Sequence, residues 1–215
     1  NWWGPAGQTG PCGPTTEMYI DLFPEANDDG CTPGSDDRYL EIWNDVFMQY
    51  EKTHDGRFVP LSQQCVDTGM GVERTAAILQ GVDSVYDIDV IAPIVASAAE
   101  QTPVTYGKDP ESDRSIRILV DHVRAAVFML GDEAAIRPSN IGQGYVLRRV
   151  IRRAIRHGRK LSIPGKMLKT TAQSIIDHYQ DSYPEIAANG KVILNELSQE
   201  EDRFGTALSK GEAEF

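Results

Sequence analysis

Apolar residues divide this chain into two halves of different rhythm. In the second half Ile116, Leu119, Val120, Val123, Ala126, Val127 and Leu130 recur at helical spacing, the pattern of a helix that buries one side. Residues 144–158 predict another helix, closed by Gly158, with Val146, Leu147, Val150, Ile151, Ala154 and Ile155 on its packing side. Two more helices are expected near 166–180 and 184–214. In the first half the run Arg38 to Tyr50 is β-rich and bounded by polar turns, which predicts a strand. Alternation puts Leu40, Ile42, Asn44, Val46 and Met48 on one face. His54-Asp55-Gly56-Arg57 reads as a hairpin tip, with the return strand over 57–68. Residues 1–37 are rich in Gly, Pro, Asp and Thr and read as loops, apart from a strand-like stretch at Glu17–Asp21. Helices follow over 71–80 and 86–101. The Pro- and Asp-containing link 102–112 marks a boundary, so the expected domains are 1–102 and 113–215, an α+β part followed by an all-α part.

Composition narrows the class. A chain of 215 residues with 40% apolar content buries a real core in one large domain or two small ones. No apolar run approaches the roughly 18 residues of a membrane span, and no basic-then-apolar leader suggests secretion. Cys12, Cys31 and Cys65 are too few and too widely spaced for a disulfide framework or a zinc knuckle, which fits a reducing, cytoplasmic setting. The chain starts at Asn1 without Met and reads as an excised or trimmed piece. Its net charge of −11 hides an asymmetry: residues 1–113 carry 5 Lys+Arg against 20 Asp+Glu, whereas residues 114–164 carry 11 against 3. One basic block in an acidic chain is placed to bind an anion locally.

Four constellations carry candidate chemistry. Asn44 is an amide on an otherwise apolar strand face, and a buried amide needs partners that a ligand or neighbouring backbone can supply. In Val66-Asp67-Thr68-Gly69-Met70-Gly71-Val72-Glu73-Arg74 two glycines let a ligand lie close to backbone. Arg74 adds a permanent planar cation suited to phosphate; the alternative is a glycine-bearing turn before a buried helix. Gly10-Pro11-Cys12-Gly13-Pro14 reads as a rigid turning loop. Arg148, Arg149, Arg152, Arg153 and Arg156 form two adjoining rows on one helix side. Such a stripe is a footprint for nucleic-acid phosphates, or else a solvated face with internal salt bridges. The histidines 54, 122, 157 and 178 are scattered and read as structural or solvated.

The run VDTGMGVER resembles motif 3 of the class II aminoacyl-tRNA synthetases, in the wording of the alanyl branch. NWW…TGPCGPTTE, EIWNDVF and PSNIGQGYVLRR resemble further segments of that branch. The resemblance implies part of a class II antiparallel sheet with helices, followed by a helical domain that recognises the tRNA acceptor stem. It implies ATP-dependent activation of L-alanine to alanyl-adenylate and transfer to the 3′ end of tRNA(Ala). On it, Trp3, Asn44, Asp67 and Gly69 bind alanine, with Asp67 meeting the ammonium. Glu41 and Arg74 are catalytic and, with Gly71, bind ATP, Glu41 lying near its Mg²⁺. Glu73 orients Arg74. Asn140 reads the acceptor-stem G·U pair, and the arginines 148, 149, 152, 153 and 156 contact the tRNA. No zinc ligands are implied here; zinc belongs to an editing domain outside these residues.

Motifs 1 and 2 of the family, the second of which brings another phosphate-binding arginine, do not precede Asn1. The expectation is that the sheet continues in a missing N-terminal part of the catalytic domain and that this polypeptide alone is inactive. The readings of another class are a non-catalytic tRNA-binding module and one subunit of a split synthetase.

Overall fold

The computed structural model describes residues 1–26, 30–35, 38–134, 136–163 and 165–214, with the backbone alone for 209–214. Two compact units divide the chain, Asn1–Ile88 and Asp89–Phe215. The first holds a four-stranded antiparallel sheet of β1 (Trp2–Trp3), β2 (Gly10–Asp21), β3 (Tyr39–Lys52) and β4 (Phe58–Met70), paired in that order. The hairpin between β3 and β4 turns where expected. Gly56 adopts φ 81°, and the Thr53 N–H donates to the Arg57 carbonyl at 2.9 Å.

Residues 10–14 belong to β2 and are not the expected loop. Gly13 makes this possible: a Cβ there would lie 1.7 Å from the Phe47 carbonyl oxygen, so only glycine lets the two backbones come so near. The register slips between Cys12 and Thr15 and again between Met18 and Tyr19. Such bulges turn one strand relative to its partner. α1 (Val72–Gln80) follows β4 directly and stops at Gly81, which takes the left-handed conformation at φ 67°.

The second unit contains α2 (Ala92–Ala99), α3 (Pro110–Gly131), α4 (Gly142–Lys160), α5 (Met167–Tyr179), α6 (Pro184–Ala188) and α7 (Gly190–Glu214). Asp109 caps α3 by accepting from the Ser112 N–H at 2.9 Å, and Pro110 sits in its first turn, as helix N-termini favour. The apolar stripe from Ile116 to Leu130 is fully buried. The division after Ile88 lies upstream of the 102–112 link because α2 packs on α3 and α5. Gln101 Nε2 reinforces that packing by donating to Thr171 Oγ1 at 3.1 Å.

Three helix expectations also differ. The helix expected over 86–101 is a single 3-10 turn at Val85–Asp87 followed by α2 from Ala92 to Ala99. Gly158 does not end α4, which runs to Lys160; it lies where a Cβ would sit 1.9 Å from Met167 Sδ, so the glycine admits α5. The helix expected over 184–214 breaks at Asn189. Its Nδ2 donates to the Gly131 carbonyl at 2.8 Å and satisfies the end of α3. No helix among the described residues is long and apolar enough to cross a membrane.

Candidate functional site

One face of the sheet gathers polar side chains from β2, β3 and β4. Glu17 on β2 pairs with Asn44 on β3, and Asn44 pairs with Gly69 on β4. Directly paired residues share a face, as do residues two apart on one strand. The next row on that face is therefore Thr15, Val46 and Asp67; Trp3 pairs with Gly13, which lies within the register slip between Cys12 and Thr15. The bulge after Met18 brings Glu41 opposite Tyr19 and onto the same side. This corrects the simple alternation along β3. Val46 and Met48 share the face of Asn44, but Leu40, paired with Ile20, lies on the other.

Glu17 is the hub of this face. It accepts from Tyr19 OH at 2.7 Å, from Asn44 Nδ2 at 3.1 Å, and from Asn1 Nδ2 and Thr15 Oγ1 at 3.3 Å each. Asn44 Nδ2 also lies 3.5 Å from Glu41 Oε1. The Tyr19 hydroxyl is pushed up to about 12, chiefly because it donates to the Glu17 carboxylate. The sequence signal for Glu17 is the alternation of Thr15, Glu17, Tyr19 and Asp21 as a polar strand face. Below the cluster the Arg38 guanidinium grips Asp21 at 2.6 Å and holds its carboxyl below the usual range.

The end of β4 and the start of α1 supply the cationic part. Arg74 Nη1 donates to the Glu41 carbonyl at 2.8 Å, and the Gly71 N–H donates to the neighbouring Ile42 carbonyl at 3.1 Å. The bulge thus exposes two successive carbonyls that anchor the helix start. Gly71 makes room for Arg74, whose side-chain carbons come within 3.3–3.5 Å of where a Cβ would be. At Gly69 a Cβ would meet nothing within 4 Å, so open space adjoins Asn44 across the strand pair. Glu41, Asn44, Asp67 and Gly69 thus share one face, with Gly71 and Arg74 at the junction that ends it and Trp3 on the strand next to β2. Such a surface offers carboxylates to an ammonium and a guanidinium to a phosphate.

A second candidate surface lies on the helical unit. Gly144 lets the 138–141 turn close on the start of α4: its carbonyl accepts from the Ser139 N–H at 3.0 Å, and a Cβ would lie 2.3 Å from the Arg137 oxygen. Asn140 is exposed and accepts from Arg148 Nη1. Ile141, 79% exposed, and Tyr145 stand beside it, and Arg149 lies 5.8 Å over the Tyr145 ring. Arg149, Arg153 and Arg156 are exposed along α4. His157 senses their field: burial first, then Lys160, Arg153, His122 and Arg156, hold its pKa below the ordinary value.

Arg152 faces elsewhere. Its Nε meets Glu200 Oε1 at 2.6 Å, and its guanidinium lies 5.0 Å from the Phe204 ring, so it fastens α4 to α7. Glu200 is only 1% exposed, and a carboxylate so buried requires its cation. The exposed stripe is therefore narrower than the sequence suggested.

A family model described as tRNA synthetases class II (A) matches residues 1–215. An alanine–tRNA ligase of Treponema pallidum (strain Nichols) is 52% identical, the alignment covering 100% of this chain and 36% of that protein. One from Treponema denticola is 54% identical over 90% of this chain and 32% of its own length. One from Caldicellulosiruptor saccharolyticus is 47% identical over 94% of this chain and 23% of its own. The chain thus spans about a third of the length of the first two relatives. Matched along its whole length and carrying motif 3 at a strand-to-helix junction, the chain belongs to the class II (A) tRNA synthetase family.

Proposed function

We propose that this chain is the motif-3 part of an alanine–tRNA ligase, its first unit contributing to alanine activation and its second gripping the acceptor stem of tRNA(Ala), in the cytoplasm. The observation that carries the reading is the convergence of Asn44, Asp67 and Gly69 on one sheet face that ends at Arg74. Asp67 receives the alanine ammonium, Gly69 leaves room for the small side chain, and Trp3 walls the pocket. Arg74 neutralises ATP phosphate charge beside Gly71. The alanine carboxylate attacks the α-phosphate, expelling pyrophosphate and forming alanyl-adenylate. The terminal ribose hydroxyl of the tRNA then attacks the carbonyl, loses its proton as the ester bond forms, and displaces AMP. Activation needs positioning and charge neutralisation more than a covalent nucleophile. Mg²⁺ is an oxygen-seeking ion and suits the carboxylate of Glu41, where it would neutralise phosphate charge.

On the second unit Asn140, its Oδ1 engaged by Arg148, offers N–H donors to a base edge. Arg149, Arg153 and Arg156 contact phosphates.

The test is alanine-dependent ATP–pyrophosphate exchange by the 215-residue chain, alone and completed by a separately made polypeptide carrying motifs 1 and 2. The expected result is no exchange alone and exchange on completion. Exchange by the chain alone would refute its dependence on upstream motifs. No exchange in either case, with an acceptor-stem RNA still bound, would favour the non-catalytic tRNA-binding module.

A further inference from the structure

Resting on that reading of the sheet face, we infer that Glu17 is a positioning residue. It captures Asn44 Nδ2 and so reserves Asn44 Oδ1 as an acceptor for the ammonium of the amino acid. Three observations lead there. First, the direction of the Asn44 amide is forced. Its Nδ2 stands 3.1 Å from Glu17 Oε1 and 3.5 Å from Glu41 Oε1, and ionised carboxylates only accept. A flipped amide would set its oxygen against both. Second, Asn44 Oδ1 is shielded from solvent and has no hydrogen-bond partner among the described residues. A buried acceptor in that state awaits a donor. Third, the residue directly across from Asn44 is Gly69, beside which a Cβ would touch nothing within 4 Å. A small group with N–H donors fits there, with Asp67 two residues along the same face.

Glu17 itself is over-determined. Tyr19 OH, Thr15 Oγ1 and Asn1 Nδ2 all donate to it, so it cannot turn away from Asn44 without leaving donors unpaired. Asp67 and Asn44 Oδ1 would then meet the ammonium as one charged and one neutral acceptor. A substrate with a hydroxyl in place of the ammonium would satisfy neither as well. Glu17 thereby contributes to recognition of the amino group through a second side chain.

Glu17→Gln tests this in the completed enzyme, since it keeps the shape and removes the acceptor-only character. The readouts are the KM values for alanine and ATP, and inhibition by L-alaninol, which has the ammonium without the carboxylate, and by propionate, which has the reverse. The expected result is a KM for alanine and an inhibition constant for alaninol that rise together, about tenfold, with the KM for ATP held. An unchanged alanine KM, or alanine and ATP KM values rising in parallel, would overturn the inference, the second because it marks a general structural role. A titration of the wild-type 215-residue chain, following the Asn44 side-chain amide by ¹⁵N NMR, decides the matter whether or not the variant folds or the completed enzyme exchanges pyrophosphate. Response to alaninol and none to propionate supports the assignment. No response to alaninol, or a response to propionate, overturns it. Absence of exchange by the wild-type completed enzyme counts against the proposed function alone.

Discussion

Glu201 offers a stability test whose sign is fixed by where α7 places it. The residue is only 8% exposed, and its Oε1 accepts from the Met167 N–H at 3.1 Å at the start of α5, while its Oε2 is buried without a hydrogen-bond partner among the described residues. Burial pushes its pKa from 4.5 up to about 7, against the opposing pull of the Met167 and Leu168 N–H groups and the Lys166 charge. Between those two values the folded chain holds a proton that the unfolded chain has released. Stability from this group is therefore fully present below the unfolded value, falls as pH rises, and is flat above the folded value. The loss across that window is roughly 3 kcal/mol, a large part of a typical folding free energy. Glu201→Gln keeps an oxygen for Met167 and never ionises. It is expected to match wild type near pH 4.5 and to exceed it by up to roughly 3 kcal/mol near pH 8. The assay is urea unfolding at a series of pH values, followed by helical circular dichroism, with the variant–wild-type difference plotted so that shared titrations cancel. A difference that stays constant with pH, or a variant less stable than wild type near pH 8, would refute the reasoning.

Three other substitutions separate packing from binding. Arg152→Ala should cost about 3 kcal/mol because it leaves the buried Glu200 carboxylate to the more distant and exposed Arg203, 4.0 Å from its other oxygen; thermal unfolding within a degree of wild type would contradict this. Arg153→Ala should leave unfolding unchanged, yet weaken acceptor-stem RNA binding and lower the salt slope by about 1, as read by titrations at several salt concentrations. Gly144→Ala must displace the Arg137 carbonyl, 2.3 Å from the new Cβ. A stability loss of about 1–3 kcal/mol together with weaker RNA binding is expected, and a variant with wild-type values of both would show that the 138–141 turn does not depend on this contact.

Much of the helical unit was legible because burial and periodicity agree. The residues from Ile116 to Leu130 that recur at helical spacing are those that are buried. The boundary was less legible. A Pro- and Asp-containing link looks like a border, but α2 is apolar almost all round, and such a helix goes wherever it can be covered, here by α3 and α5. The arginine rows were read from spacing alone, which cannot say which row meets another helix. Glu200 and Phe204, about fifty residues away in sequence, decide that for Arg152. Gly13 was misread for a related reason. A Gly-Pro-rich run signals a turn locally, whereas the same glycine also permits the near contact of backbones across two strands.

The sheet face shows how one inserted residue can build a site. Strict alternation would put Glu41 and Asn44 on opposite faces of β3, since they are three apart. The extra residue between Trp43 and Glu41, opposite the Met18–Tyr19 step, cancels that parity and lets both side chains face Glu17 and Tyr19. The same irregularity provides the carbonyls of Glu41 and Ile42 for Arg74 and for the Gly71 N–H. A regular strand would do neither: it would part the carboxylate from the amide, and its backbone groups would be committed to its neighbours. Ile42 therefore couples the two halves of the candidate pocket. Its sequence signal is weak because an isoleucine inside an apolar–polar run reads simply as one more inward-facing position.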